Sequence, residues 1–337
     1  MPYPPARVVV VGGAVLDTKL RTAARPVLAT SNPGTASWTA GGVGRNIAEN
    51  LARLGSPTLL VAAVGDDLAG ESVLGRTAAA GVDCRHVLVS GHPTGTYAAV
   101  LDDRGDLLIA VADMRATDEL SVSDLAGVPL LLEDAGAVVL DANLRTEAAR
   151  WVVDAAARAG VPVVVEPVSV AKATGLAPVL DGSSPVHTVT PNVDELAALL
   201  GAPADAGTGG GSRLDDVDAL GAAASRLHNR GVEHVWVRRG TRGSLLSTAT
   251  PGARRRVVLV GAPEVEVADV TGAGDSMTAG YVHALLQGAD VVEAARYGQV
   301  LAGLTCASPD TVRADLTPGL VAASLTPTQP TTEELLP

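Results

Sequence analysis

The chain has 337 residues, of which 47% are hydrophobic and only 2% aromatic, and it carries a formal net charge of −12. That apolar content supports a sizeable core in one large domain or two modest ones. The acidic balance and the lack of any Phe argue against a nucleic-acid partner, because such binding neutralises phosphates with Lys and Arg and stacks bases on aromatic rings. The two cysteines, Cys84 and Cys306, lack metal-ligand spacing and are expected to be buried thiols.

The first apolar run, "RVVVVG" (7–12), is short and stopped by glycine. It predicts a buried strand, neither a signal peptide nor a membrane span, so a cytoplasmic location and no membrane partner are expected. Residues 17–43 lack helical period. In "RNIAENLARLG" (45–55), Ile47, Leu51 and Leu54 share one helix face and Gly55 stops the helix. "TLLVAAVG" (58–65) predicts a second strand, and "TGTYAAVLDDRGDLLIAVA" (94–112) a hairpin turning at "DDRG". Strands follow at 137–142, 161–167, 187–192 and 234–240, with helices at 147–160 and 215–231 between them. Runs apolar on both faces and separated by helices indicate an α/β domain around a mostly parallel sheet, helices covering both sides.

Residues 17–43 and 94–112 break this alternation and are expected to form a small β lid on a domain spanning 1–325. An exposed β insert favours pairing with a second copy, so a homodimer through the lid is expected. The run "AGTGGGS" (206–212) is not followed by Gly-Lys-Ser/Thr, which makes it a surface loop and not a Walker loop. The Pro- and Thr-rich segment 326–337 is expected to be disordered.

The stretch "DVTGAGDSMTAG" (269–280) puts Gly272, Ala273 and Gly274 before Asp275 where a helix begins. Unpaired N–H groups at a helix N-terminus stabilise an anion. A carboxylate beside that anion makes chemical sense as the base that takes a proton from a hydroxyl attacking a phosphoryl group. The competing explanation is a structural Asp after a Gly turn, and the stretch alone does not separate the two.

"GGVGRNIAENLARLG" (41–55) and "VADVTGAGDSMTAG" (267–280) resemble the two signatures of the ribokinase (PfkB) family, in the right order and at about the right separation. "TPNVDEL" (190–196) resembles the family's Asn-x-x-Glu motif, and "RRGTRGSLL" (238–246) its nucleotide-binding Gly turn. The resemblance covers about residues 7–310. It implies a ribokinase-like three-layer sandwich and ATP-dependent phosphorylation of a small acceptor. Asp275 would be the general base, with Gly272, Ala273 and Gly274 as the anion hole. Asp17, Gly42 and Asn46 would hold ribose hydroxyls, and Asn143 would contact the substrate. Asn192 and Glu195 would position Mg²⁺, Glu195 through water, while Gly240, Thr241 and Gly243 would approach the nucleotide. Backbone near Asp269 and Thr271 would form a K⁺ site.

Without the signatures, Asp17 reads better as a strand-end turn residue and Asn46 as a helix N-cap, while Asn192 with Glu195 can be a capping box alongside its metal role. Lys172 faces either phosphate or solvent. The stretches 30–35, 111–114, "LDANL" (140–144) and "EPVSVAKA" (166–173) resemble the pseudouridine kinases of the family, which implies the nucleoside's 5′-hydroxyl as acceptor. Competing expectations are another nucleoside or sugar kinase and a ligand-binding regulator without catalysis. Two positions depart from the family pattern: Glu166-Pro167 replaces the common Asp-Pro, and arginines precede Gly240.

Overall fold

Val8 to Val11 are all completely buried, and they divide alternately between two cores. Val9 and Val11 pack with Val138, Leu140 and the Thr146–Ala159 helix. Val8 and Val10 pack with Ile47, Leu51, Tyr281 and Val282. A strand apolar on both sides has to lie between two covering layers, and that is the arrangement in the computed structural model, which describes residues 6–201, 216–250, 252, 254–325 and 331–335. The glycine-rich run 206–212 lies outside these residues.

The central sheet has nine strands in the order Thr332–Leu335, Arg256–Val260, Ser244–Thr248, Val232–Arg238, Val186–Val189, Val163–Glu166, Ala135–Asp141, Arg7–Val11, Thr58–Val61. From Val232–Arg238 to Thr58–Val61 every pairing is parallel. The three strands at the other edge are antiparallel. The helix expected at 45–55 spans Val43–Arg53 and buries Ile47 and Leu51.

Three expectations need correction. The run 58–65 does not form one strand, because Ala63–Gly65 leaves the central sheet to pair with Leu88–Ser90. The segment expected to be disordered contributes the edge strand Thr332–Leu335, where Arg256 Nε donates to Glu334 Oε1 at 2.8 Å and balances an otherwise acidic edge. Cys84 and Cys306 are free and half-buried, not buried. No described helix is long and apolar enough to cross a membrane.

Residues 17–43 and 94–112 meet in a separate four-stranded sheet, ordered Gly34–Gly41, Val15–Thr22, Gly95–Leu101, Leu107–Asp113. Its register puts Asp17 opposite Thr39 and Tyr97 on one face, and Thr18, Trp38, Ala98 and Val111 on the other. Lys19, on the face of Asp17, reaches Asp269 Oδ2 of the main domain at 2.9 Å.

Candidate active site

The chemistry-bearing residues collect where the parallel strands end, the position at which open α/β sheets bind ligands. Asp141 ends one strand, Glu166 its neighbour and Arg238 a third. Facing them, the Ala273–Leu286 helix begins at Gly272, whose φ of 79° is left-handed. A Cβ there would collide with the Thr311 carbonyl, so the turn that aims the first N–H groups of this helix requires glycine.

Asp275 lies in the first turn of the helix and is buried. Burial, reinforced by the charges of Glu166 and Asp141, raises its pKa to about 7, against a hydrogen bond from Asn46 and the charge of Arg238, which lower it. A carboxyl group titrating there is suited to accept a proton near neutrality. Asn46 Nδ2 donates to Asp275 Oδ2 at 2.7 Å, which joins the two signature segments. Asn46 is therefore no N-cap: Gly42, with φ of 94°, caps this helix. Arg45, also buried, donates to Asn46 Oδ1 and Glu49.

Asp17 lies inside a lid strand and not at a strand-end turn. Burial raises its pKa to about 6, and a side chain on Gly41 would collide with its carboxylate. Asn143 is buried, with its backbone N–H on Asp141 Oδ1 at 2.9 Å. Asp141 was not singled out from the sequence, yet it is fully buried and also accepts from Gly13 N at 2.8 Å and Gly44 N at 2.7 Å. It thus ties the Gly13 loop, the first turn of the Val43–Arg53 helix and the Asn143 turn together. An Asp closing a Val-rich parallel strand in "VVLD" was the available signal.

On the other side, Asn192 and Glu195 form the reciprocal capping box: Glu195 N donates to Asn192 Oδ1 at 2.9 Å and Asn192 N to Glu195 Oε2 at 2.8 Å. Glu195 Oε2 also accepts from Arg238, and among the described residues Oε1 accepts no hydrogen bond, which suits a hard cation or its water. The turn Gly240–Arg242, containing Thr241, and Gly243 connect two antiparallel strands. Gly240 and Gly243 both have positive φ. Asp269 keeps a pKa below the ordinary carboxylate value: burial raises it, but hydrogen bonds from Thr271 and Lys19 outweigh that. Both carboxylate oxygens accept from those partners. Lys172 pairs with Asp118 at 3.3 Å; beside them a cavity of about 290 Å³ is lined by Asn143, Leu144 and Ala171.

The pfkB family carbohydrate kinase profile matches residues 5–317. The chain is 32% identical to the pseudouridine kinase of Escherichia coli over 310 residues, covering 92% of this chain and 93% of that protein. It is 34% identical to the uncharacterized sugar kinase YeiI of the same organism over 301 residues, 89% of this chain and 78% of that one. Its fold superposes on a carbohydrate kinase from Agrobacterium tumefaciens with a TM-score of 0.81 at 28% identity, covering 98% of this chain and 100% of that one. The Arabidopsis thaliana ribokinase complexed with ribose and ATP gives 0.78 at 25% identity, covering 96% and 99%. A buried carboxylate at a glycine-led helix N-terminus, on a sheet of this order and with these relatives, has one family assignment: the chain belongs to the pfkB family of carbohydrate kinases.

Proposed function

We propose that the chain is an ATP- and Mg²⁺-dependent kinase that phosphorylates the 5′-hydroxyl of pseudouridine. The observation that carries the chemistry is Asp275, buried at the N-terminus of its helix and oriented by Asn46. With ATP bound, its carboxylate takes the proton of the attacking hydroxyl while the N–H groups of Gly272, Ala273 and Gly274 stabilise charge on the transferring phosphoryl group. Asp17, Gly42 and Asn46 hold the ribose, Asn143 contacts the substrate beside it, and Gly240, Thr241 and Gly243 lie along the nucleotide. Mg²⁺, held near Glu195 through water, neutralises phosphate charge, and K⁺ at the backbone of Asp269 and Thr271 would complete the loop before the anion hole.

Glu195→Gln should raise the Mg²⁺ concentration needed for half-maximal rate and lower kcat, with little loss of stability because the amide oxygen still accepts from Asn192 N. A magnesium titration superimposable on wild type would leave Glu195 as a helix cap alone.

The choice of pseudouridine is supported by the likeness to the Escherichia coli enzyme and by the cavity beside Asn143, where Asp118, Asn143 and Lys172 meet. Ala142, Asn143 and Leu144 from the stretch 140–144 and Ala171 and Lys172 from 166–173 line that cavity together. Pseudouridine offers an N1–H where uridine has an apolar C5–H, and Asp118 and Asn143 present acceptors. An acceptor left unpaired by uridine costs about 1–3 kcal/mol. With ATP and Mg²⁺, kcat/KM for pseudouridine should therefore exceed that for uridine, ribose and adenosine by at least about tenfold. Equal or better use of ribose would favour a second reading, a sugar kinase, which the likeness to YeiI supports.

Two copies pair through the lid in this proposal. The lid face opposite Asp17 exposes Trp38, Ile109 and Val111 by 58%, 59% and 63%, an apolar surface that a second lid would cover. Trp38→Asp should convert a dimer to a monomer in sedimentation; a wild type that is monomeric at working concentration overturns this part.

A further inference from the structure

The two positions at which the chain departs from its family pattern are bonded to each other. Arg238 Nη2 donates to Glu166 Oε1 at 2.6 Å and Nη1 to Glu166 Oε2 at 3.1 Å, a two-point fork, and Nη2 reaches Glu195 Oε2 at 3.1 Å. Glu166 is itself 2% exposed and fixed by the hydroxyls of Thr190 at 2.7 Å and Thr278 at 3.0 Å. Thr278 belongs to the helix of Asp275, so the guanidinium is anchored to the wall that carries the base.

The same guanidinium explains Gly274. A Cβ on this residue would collide with Arg238 Nη1 and lie 3.9 Å from Nε. Glycine at 274 thus leaves room for the arginine where Glu166 and Glu195 hold it. Three of the five guanidinium N–H groups are used by Glu166 and Glu195. Of the two that remain, the one on Nη1 lies against Gly274, while the one on Nε points from the opposite edge of the plane, on the side of Glu195, and the side chain keeps 15% of its surface exposed.

Charge gives this placement its purpose. Asp275, Glu166, Glu195 and Asp141 crowd carboxylates around a site meant for a phosphoryl group, and Arg238 is the cation whose charge acts on Asp275. We propose that Arg238 is a catalytic residue of phosphoryl transfer: locked by Glu166 and Glu195 against Gly274, it donates its remaining Nη1 N–H, with its positive charge, to the terminal phosphoryl group as that group passes to the acceptor. In that step the acceptor oxygen forms the new O–P bond and its proton goes to Asp275. The bridging P–O bond of ATP breaks, and its electron pair leaves on the β-phosphate oxygen of ADP. Arg238 gains and loses no atoms; it offsets charge on the oxygens in flight.

The inference rests on the kinase reading, and the test separates the two. Calorimetric titration with ADP and with the non-hydrolysable analogue AMP-PNP, both at saturating Mg²⁺, is compared for wild type, Arg238→Lys, and the double variant Glu166→Gln with Arg238→Met. The double variant avoids leaving Glu166 ionised without its partner, and circular dichroism checks its fold. In both variants AMP-PNP should bind at least about tenfold more weakly than to wild type, with ADP within about threefold, because only the terminal phosphoryl group meets the arginine. In Arg238→Lys kcat should fall at least about tenfold with KM for the acceptor nucleoside unchanged. If AMP-PNP and ADP weaken equally, or neither changes while wild type binds both, Arg238 only supports the fold and the proposal fails. If wild type binds neither nucleotide, the kinase reading itself fails.

Discussion

Replacing Asp275 by asparagine is expected to lower kcat by about 10²–10⁴-fold while nucleotide binding and the fold persist. The amide fills the same space and its oxygen still accepts from Asn46 Nδ2, but it cannot take a proton. Because burial holds the free-enzyme pKa at about 7, kcat/KM of wild type should rise with pH through about 7 and then level off. Stability should move the opposite way. The folded pKa lies above the ordinary value of 3.8, so this group's contribution is present below that value and is lost as pH rises through about 7. Without its ligands, the Asp275→Asn variant should therefore melt at a higher temperature than wild type at pH 8, and at the same temperature at pH 4. Turnover near the wild-type rate would remove Asp275 as the base. A melting temperature unchanged at pH 8 would show that the carboxylate ionises there without cost.

Gly272→Ala is expected to damage both stability and rate. At φ of 79° an L-residue costs on the order of 1–3 kcal/mol, and the added methyl group also meets the Thr311 carbonyl. Backbone on one side has to shift. The part of the chain that shifts is the turn presenting the first N–H groups of the helix, and a displacement of about 1 Å at a reacting centre costs about 10²-fold in rate. Thermal melting should show the loss of stability, and steady-state kinetics should show kcat falling more than KM for ATP rises. A variant with wild-type melting temperature and kcat would mean that the turn tolerates a side chain and does not aim the anion hole.

Local order decided much of what the sequence shows by itself. The Val-rich runs at 7–12, 137–142 and 161–167 can satisfy backbone hydrogen bonds and bury both faces only inside a covered parallel sheet. The segments 17–43 and 94–112 lack the period for that, and they join in the lid. Glycine at 272 and a carboxylate at 275 are legible because a helix N-terminus is a local structure whose chemistry follows from spacing. The run 58–65, by contrast, had uniform composition but serves two sheets, a division set by which neighbour each half meets. Residues 332–335 looked disordered from their Pro- and Thr-rich surroundings, yet an open strand edge and Arg256 supply partners that composition does not reveal.

The sequence by itself determined the two signature segments, the base candidate and the layered class, because each depends on residues close together in the chain. Tertiary structure alone decided the contacts that span it. Asn46 meets Asp275 across 229 positions, Asp141 gathers Gly13 across 128 and Gly44 across 97, and Arg238 joins Glu166 across 72. Each of these polar groups is buried or partly buried away from water, where an unpaired donor or carboxylate is costly. Its partner is therefore the group that the sheet order brings within hydrogen-bond reach, and sheet order is a property of the folded chain that no local spacing encodes.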